Sequence, residues 1–123
     1  MPWDLSNDRP IYAQIVDKIR LRIVSGYYPA GEKLPSVREL ATEAGVNPNT
    51  MQKAFAELER TGLLVTMRTS GRVVTDDIDT IQSVKETIAE EQIKDFLSKM
   101  KELGFEPKQT IELAAKISGE ENK

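Results

Sequence analysis

A chain of 123 residues with a formal net charge of −3 supports one compact domain, or a small domain with an appendage, and buries one modest core rather than two. Cysteine and histidine are both absent, which excludes disulfides, thiol nucleophiles, zinc sites built from Cys or His, and imidazole general bases; no metal and no cofactor is expected. The first twenty residues hold no apolar run, and none elsewhere approaches the roughly 20 residues that span a bilayer, so the expectation is a cytoplasmic protein with no membrane partner.

From Pro10 onward, Ile11, Ile15, Ile19 and Ile23 recur at every fourth position, with Tyr12 and Val16 beside them. That is one apolar stripe on a first helix ending near Gly26. After a turn through "YYPAGEKLP", Ser36-Val37-Arg38-Glu39 has the form of a capping box, so a second helix starts at Ser36. It is short, turns Val37, Leu40 and Ala41 inward, and stops at Gly45.

Asn47 then reads as an N-cap and Pro48 as the first helical residue, where its missing amide hydrogen costs nothing. Met51, Ala54, Phe55 and Leu58 form the buried stripe of a third helix ending at Gly62. So short a connection between the second and third helices is the sequence form of a helix-turn-helix. "LLVTM" and "RVVT", separated by "RTSG", then signal a hairpin with Gly71 available for a positive backbone angle. The expected fold is mainly α with a small β wing: a winged helix-turn-helix over residues 1–75, followed by a helical segment over 76–123.

Charge divides at the same place. Residues 1–75 carry ten Lys or Arg against eight Asp or Glu, giving +2, while residues 76–123 carry seven against twelve, giving −5. An acidic chain is a poor default partner for a polyanion, so the position of the positive charge matters more than the total. Asn49, Thr50, Gln52 and Lys53 fall off the Met51, Ala54, Phe55, Leu58 stripe and face away from the core at the leading end of the third helix. That end is where a recognition helix presents side chains to base edges, and amides can pair bidentately with adenine. A solvated helix start explains the same residues. Arg38, Lys53, Arg68 and Arg72, taken singly, read as plain surface charges; their coincidence of position on a winged helix points to phosphates or a flanking minor groove.

The run from "RPIYAQI" through "PAGEKLPSVRELA" and "GVNPNTMQKAFAELERTGLL" to "SGRVV" resembles the DNA-binding domain of the GntR family of bacterial transcription regulators, and the short tail resembles its YtrA subfamily. The resemblance covers about the first 75 residues densely. It implies that Arg38 contacts DNA together with Asn47, Asn49 and Thr50, and that Gly71 lets the wing approach the minor groove. The full expected DNA-facing set is Ser36, Arg38, Asn47, Asn49, Thr50, Gln52, Lys53, Arg68, Ser70, Gly71 and Arg72. Many relatives in other subfamilies carry arginine where this chain has Pro48 and Gln52, so their operator sequences do not transfer.

In the tail, Ile81, Val84, Ile88, Ile93, Phe96, Leu97, Met100 and Leu103 suggest a long helix from Asp79 stopping at Gly104, and a shorter one from Pro107 places Ile111, Ala114, Ala115 and Ile117 on one face. Two helices cannot enclose a small-molecule site of the usual size, roughly 300 Å³ or more. Their stripes pack back on the head or form a homodimer interface, and the resemblance favours the dimer, with Ile81, Val84, Ile88, Phe96, Leu97, Met100, Ile111 and Ala114 as its expected residues. The functional expectation is a DNA-binding repressor reading an inverted-repeat operator in double-stranded DNA as a homodimer; the alternative is a winged helix used for protein contacts alone. No catalytic residue is expected, because carboxylates such as Asp76, Asp77 and Asp79 sit in a linker without a partner base. A small-molecule effector held between subunits, or none at all, both stay open.

Overall fold

The computed structural model describes residues 2–69 and 71–121. Its elements run α1 (Ile11–Val24), α2 (Val37–Ala44), α3 (Pro48–Arg60), β1 (Leu64–Met67), β2 (Gly71–Val74), α4 (Ile78–Glu102) and α5 (Pro107–Glu121). The chain forms two compact units, Met1–Lys85 and Glu86–Lys123, with the boundary inside α4.

In the first unit the three stripes meet. Ile15, Val16, Ile19 and Ile23 of α1, Leu40, Ala41 and Ala44 of α2, and Met51, Ala54, Phe55 and Leu58 of α3 are buried together, closed by Leu34, Leu63, Leu64 and Val74. Phe55 is the largest of these fully buried side chains, and its truncation to alanine is of the type that costs about 3–5 kcal/mol. Helix starts and stops fall where the capping residues stand. Ser36 accepts from the Glu39 amide while the Glu39 carboxylate receives the Ser36 amide, and α2 ends at Gly45 with φ of 75°. Asn47 caps α3 through a 2.7 Å bond from the Asn49 amide.

The wing is a two-stranded antiparallel sheet with Leu64 opposite Val74 and Met67 opposite Gly71. Residues 31–34, expected to be only part of a turn, also line β2. Lys33 bridges to Val73, the Leu34 amide donates to the Arg72 carbonyl, and the Gly31 amide donates to the Val74 carbonyl. The sequence hides this edge because Pro29, Gly31 and Pro35 break any alternating pattern.

The first unit also extends past Thr75 to Lys85, because Ile81 and Val84 of α4 pack in part against the same core. Asp77 starts α4: its carboxylate accepts from the amides of Asp79 and Thr80 and from the Thr80 hydroxyl. In the second unit, Gly104 at φ of 99° ends α4, with the Phe105 amide returning to the Met100 carbonyl. Glu106 receives the Thr110 amide on its carbonyl and donates its own amide to Gln109, which opens α5. Among the described residues no helix is long and apolar enough to cross a membrane, and no cluster of three potential metal ligands occurs.

Candidate nucleic-acid interface

The leading end of α3 is polar and open to solvent. Asn49, Gln52 and Lys53 are exposed, Thr50 is half-buried, and Met51, Ala54 and Phe55 turn to the core. Asn47 is exposed too, but its side-chain oxygen is committed to the cap, which leaves its amide nitrogen to face outward. Ile11 and Tyr12 from the start of α1 join Asn49, Thr50 and Lys53 around an open groove of about 380 Å³. Over it, the Lys53 ammonium sits 4.1 Å from the centre of the Tyr12 ring. A cation held on a ring face keeps its charge while losing freedom, so Lys53 is pre-placed beside the amides. Its place beside the apolar stripe of α1 predicts only packing for Tyr12, since nothing in the sequence indicates that the first turn of α1 meets α3 at this edge.

The arginines of residues 1–75 divide by partner. Arg9 and Arg20 share Asp17, Arg22 pairs with Glu43 at 2.9 Å, Arg60 pairs with Glu57, and Arg72 pairs with Glu59 at 2.6 Å. Arg38 and Arg68 have no ion-pair partner among the described residues, and both are exposed. Arg38 stands in the first turn of α2, two residues after the capping Ser36, and Arg68 follows β1 at the wing tip. These two remain available for phosphate.

At the tip Gly71 takes φ of 75°, in the left-handed region where a side chain is strained. Ser70 was also expected at this tip; it lies outside the described residues. Arg72 is placed otherwise than as a free phosphate contact. It is half-buried, lies along α3 with its guanidinium 5.2 Å from the centre of the Phe55 ring, and binds Glu59 through Nε. Glu59 also accepts the Thr66 hydroxyl at 2.6 Å, so a single carboxylate ties both wing strands to α3. The Thr66 hydroxyl, and after it the Arg72 guanidinium, hold the Glu59 carboxyl below the usual glutamate range despite partial burial.

Of the expected dimer residues, Phe96, Ile111 and Ala114 are exposed and Ile88, Leu97 and Met100 half-buried, while Ile81 and Val84 spend part of their surface on the core of the first unit. The second unit also exposes Ile93, Leu103, Phe105, Leu113 and Ile117.

Three helices, a tight connection between the second and third, and an antiparallel hairpin clamped to the third define a winged helix-turn-helix protein. Comparison with known proteins makes this specific: residues 11–74 match the model for bacterial regulatory proteins, gntR family, and the chain belongs to that family. It is 36% identical over 118 residues to the HTH-type transcriptional repressor YtrA of Bacillus subtilis, covering 95% of this chain and 91% of that one. A GntR family transcriptional regulator from Listeria monocytogenes superposes with a TM-score of 0.82 at 43% identity, covering 91% of this chain and 98% of the other. The AraR DNA-binding domain, solved in complex with operator ORX1, matches with a TM-score of 0.53 at 32% identity, over 61% of this chain and 92% of that one.

Proposed function

We propose that this protein is a cytoplasmic repressor that reads an inverted-repeat operator in double-stranded DNA as a homodimer. The sorting of the arginines carries the reading. Of the seven in residues 1–75, five have a carboxylate partner, and the two without one among the described residues stand on the elements either side of α3 in the chain, Arg38 in the first turn of α2 and Arg68 at the wing tip, while α3 itself opens on an exposed row of amides. Base reading belongs to Asn47, Asn49, Thr50 and Gln52; Ser36, Arg38, Lys53, Arg68 and the Gly71 turn hold the strands alongside. The YtrA relative is named as a repressor and the AraR domain is bound to an operator, which supports the same assignment here.

The tail supports the dimer. The second unit leaves Ile93, Phe96, Leu103, Ile111 and Ile117 exposed and buries only Thr110 among its described residues. Apolar surface at this density is stable in water when a second copy covers it. Two heads then read half-sites about one helical turn or a multiple apart. A second reading, a winged helix used for protein contacts, has one observation in its favour: β1 exposes Val65 and Met67.

Selection from a random duplex pool, with light scattering on the purified chain, tests the proposal. A palindromic motif and a dimer at tens of micromolar are expected. A monomer without an enriched motif sinks it, and replacing Val65 and Met67 by serine separates the second reading because DNA affinity then stays unchanged.

A further inference from the structure

Gln52, Phe55 and Glu59 lie on one stripe of α3, at spacings of three and four residues, and the Arg72 side chain from β2 lies along that stripe. Its Nε meets the Glu59 carboxylate at 2.6 Å, its guanidinium covers the Phe55 ring, and its Nη1 reaches the Gln52 side-chain oxygen at 3.5 Å. A guanidinium has donors only, so the carboxamide end that faces it must be the oxygen, whichever way the amide would otherwise rotate. We propose that Arg72 is a positioning residue for Gln52: anchored by Glu59, it holds the carboxamide with oxygen inward and nitrogen toward solvent, so that Gln52 reads a base edge as a hydrogen-bond donor.

The inference rests on the DNA-reading role of α3 and adds a rule to it. A free glutamine offers a donor and an acceptor side by side, which suits adenine. A glutamine whose oxygen is turned to a cation offers chiefly its two N–H groups. These suit guanine, with acceptors at O6 and N7, or thymine, with one at O4; cytosine presents the N4 donor and is rejected. Arg72 thereby acts on specificity without leaving the wing, and Glu59 keeps it from turning to a phosphate.

The test compares base-preference matrices and salt dependence for the full chain and three variants. Gln52→Ala marks the position that residue 52 reads, where the unaltered protein is expected to prefer guanine or thymine over cytosine. The charge-matched double variant Glu59→Gln with Arg72→Met is expected to lose about tenfold of that preference at the same position, with other positions and the salt slope unchanged. Gln52→Glu, an exposed substitution that presents only acceptors, is expected to turn the preference toward cytosine, and it keeps the inference testable if the double variant does not fold. Three results overturn it: binding by the unaltered chain that is indifferent to removal of the acceptor atoms (guanine N7 or thymine O4) from the pair at the Gln52 position, an unchanged matrix in the double variant, or a uniform loss at all positions with a shallower salt slope, which marks Arg72 as a phosphate contact. If the unaltered chain enriches no motif at all, the proposed function falls and this inference with it; a motif indifferent to Arg72 overturns this inference alone.

Discussion

The indole N–H of Trp3 donates to the Glu43 carboxylate at 2.7 Å, and the same carboxylate oxygen receives the Arg22 guanidinium at 2.9 Å. Arg22 in turn lies 4.8 Å from the centres of the Trp3 and Tyr27 rings and donates to the Tyr28 hydroxyl. The segment before α1 is thus latched to the end of α2, where the Trp3 amide also donates to the Ala44 carbonyl. Trp3→Phe keeps a ring face for Arg22 and deletes only the donor, so it is expected to cost about 1 kcal/mol in urea unfolding. Trp3→Ala, which removes the ring as well, is expected to cost more. Equal stability of the two variants would show that Trp3 contributes through its donor alone.

A second latch contact sits at Gly45. A Cβ built there lies 2.9 Å from the Pro2 Cβ, and φ is 75°. Gly104 shares the left-handed backbone at φ of 99°, but a Cβ there would meet nothing within 4 Å among the described residues. Gly104→Ala therefore carries the backbone strain alone, about 1–2 kcal/mol, whereas Gly45→Ala carries strain plus a steric conflict. Adding Pro2→Gly is expected to bring Gly45→Ala back toward the Gly104→Ala cost, as read by thermal melting. A Gly45→Ala loss that ignores Pro2 would contradict the packing.

The helices and hairpin were legible because their signals are local: the isoleucine repeat in α1, the Ser36 to Glu39 box, the Asn47-Pro48 start and the glycine stops each specify a few backbone angles without help from the rest of the chain. The polar row at the head of α3 was legible for the same reason, since helical periodicity alone turns Asn49, Gln52 and Lys53 away from the core. What the sequence could not show is partnership across elements. Arg38 and Arg72 look alike in the string, and only the fold sets Glu59 beside the second. Tyr12 under Lys53 and Lys33 against Val73 are likewise contacts between distant residues that no spacing rule reports.

Acid should loosen the wing. The Thr66 hydroxyl, with Arg72, lowers the Glu59 pKa in the folded state, so the folded chain binds fewer protons than the unfolded chain. The stability from this group is complete above the ordinary glutamate range and is lost as pH falls through it toward the lowered folded value. Asp77, lowered chiefly by the Thr80 hydroxyl, acts in the same direction at the start of α4. Glu59→Gln is expected to flatten the acid limb of a stability-against-pH curve, measured by urea midpoints at successive pH values. A variant limb as steep as that of the unaltered chain would remove Glu59 from the account.

Thr110 is 1% exposed, and its hydroxyl has no hydrogen-bond partner among the described residues. An unsatisfied buried hydroxyl costs about 1–3 kcal/mol, and valine has nearly the same shape. Thr110→Val is expected to raise the melting temperature by a few degrees. A lowered one would mean that the hydroxyl is satisfied in the assembled protein.

Arg38, Arg60 and Asn49 separate charge from reading. Arg38 has no carboxylate partner among the described residues, so Arg38→Ala is expected to weaken specific and random duplex alike and to lower the salt slope by about one. Arg60, also exposed but held by Glu57 one turn away, has already given its charge to a neighbour, and Arg60→Ala is expected to leave the slope within error. Asn49 carries no charge and spends its backbone amide on the cap, which leaves its side chain for a base edge. Asn49→Ala is therefore expected to lose about 1–3 kcal/mol at one operator position while binding to random duplex is unchanged. Fluorescence anisotropy across salt concentrations and single-base operator variants reads all three. If Arg60→Ala lowered the slope as much as Arg38→Ala, ion pairing would not be what sorts these arginines, and equal losses on specific and random DNA for Asn49→Ala would reduce α3 to a phosphate contact.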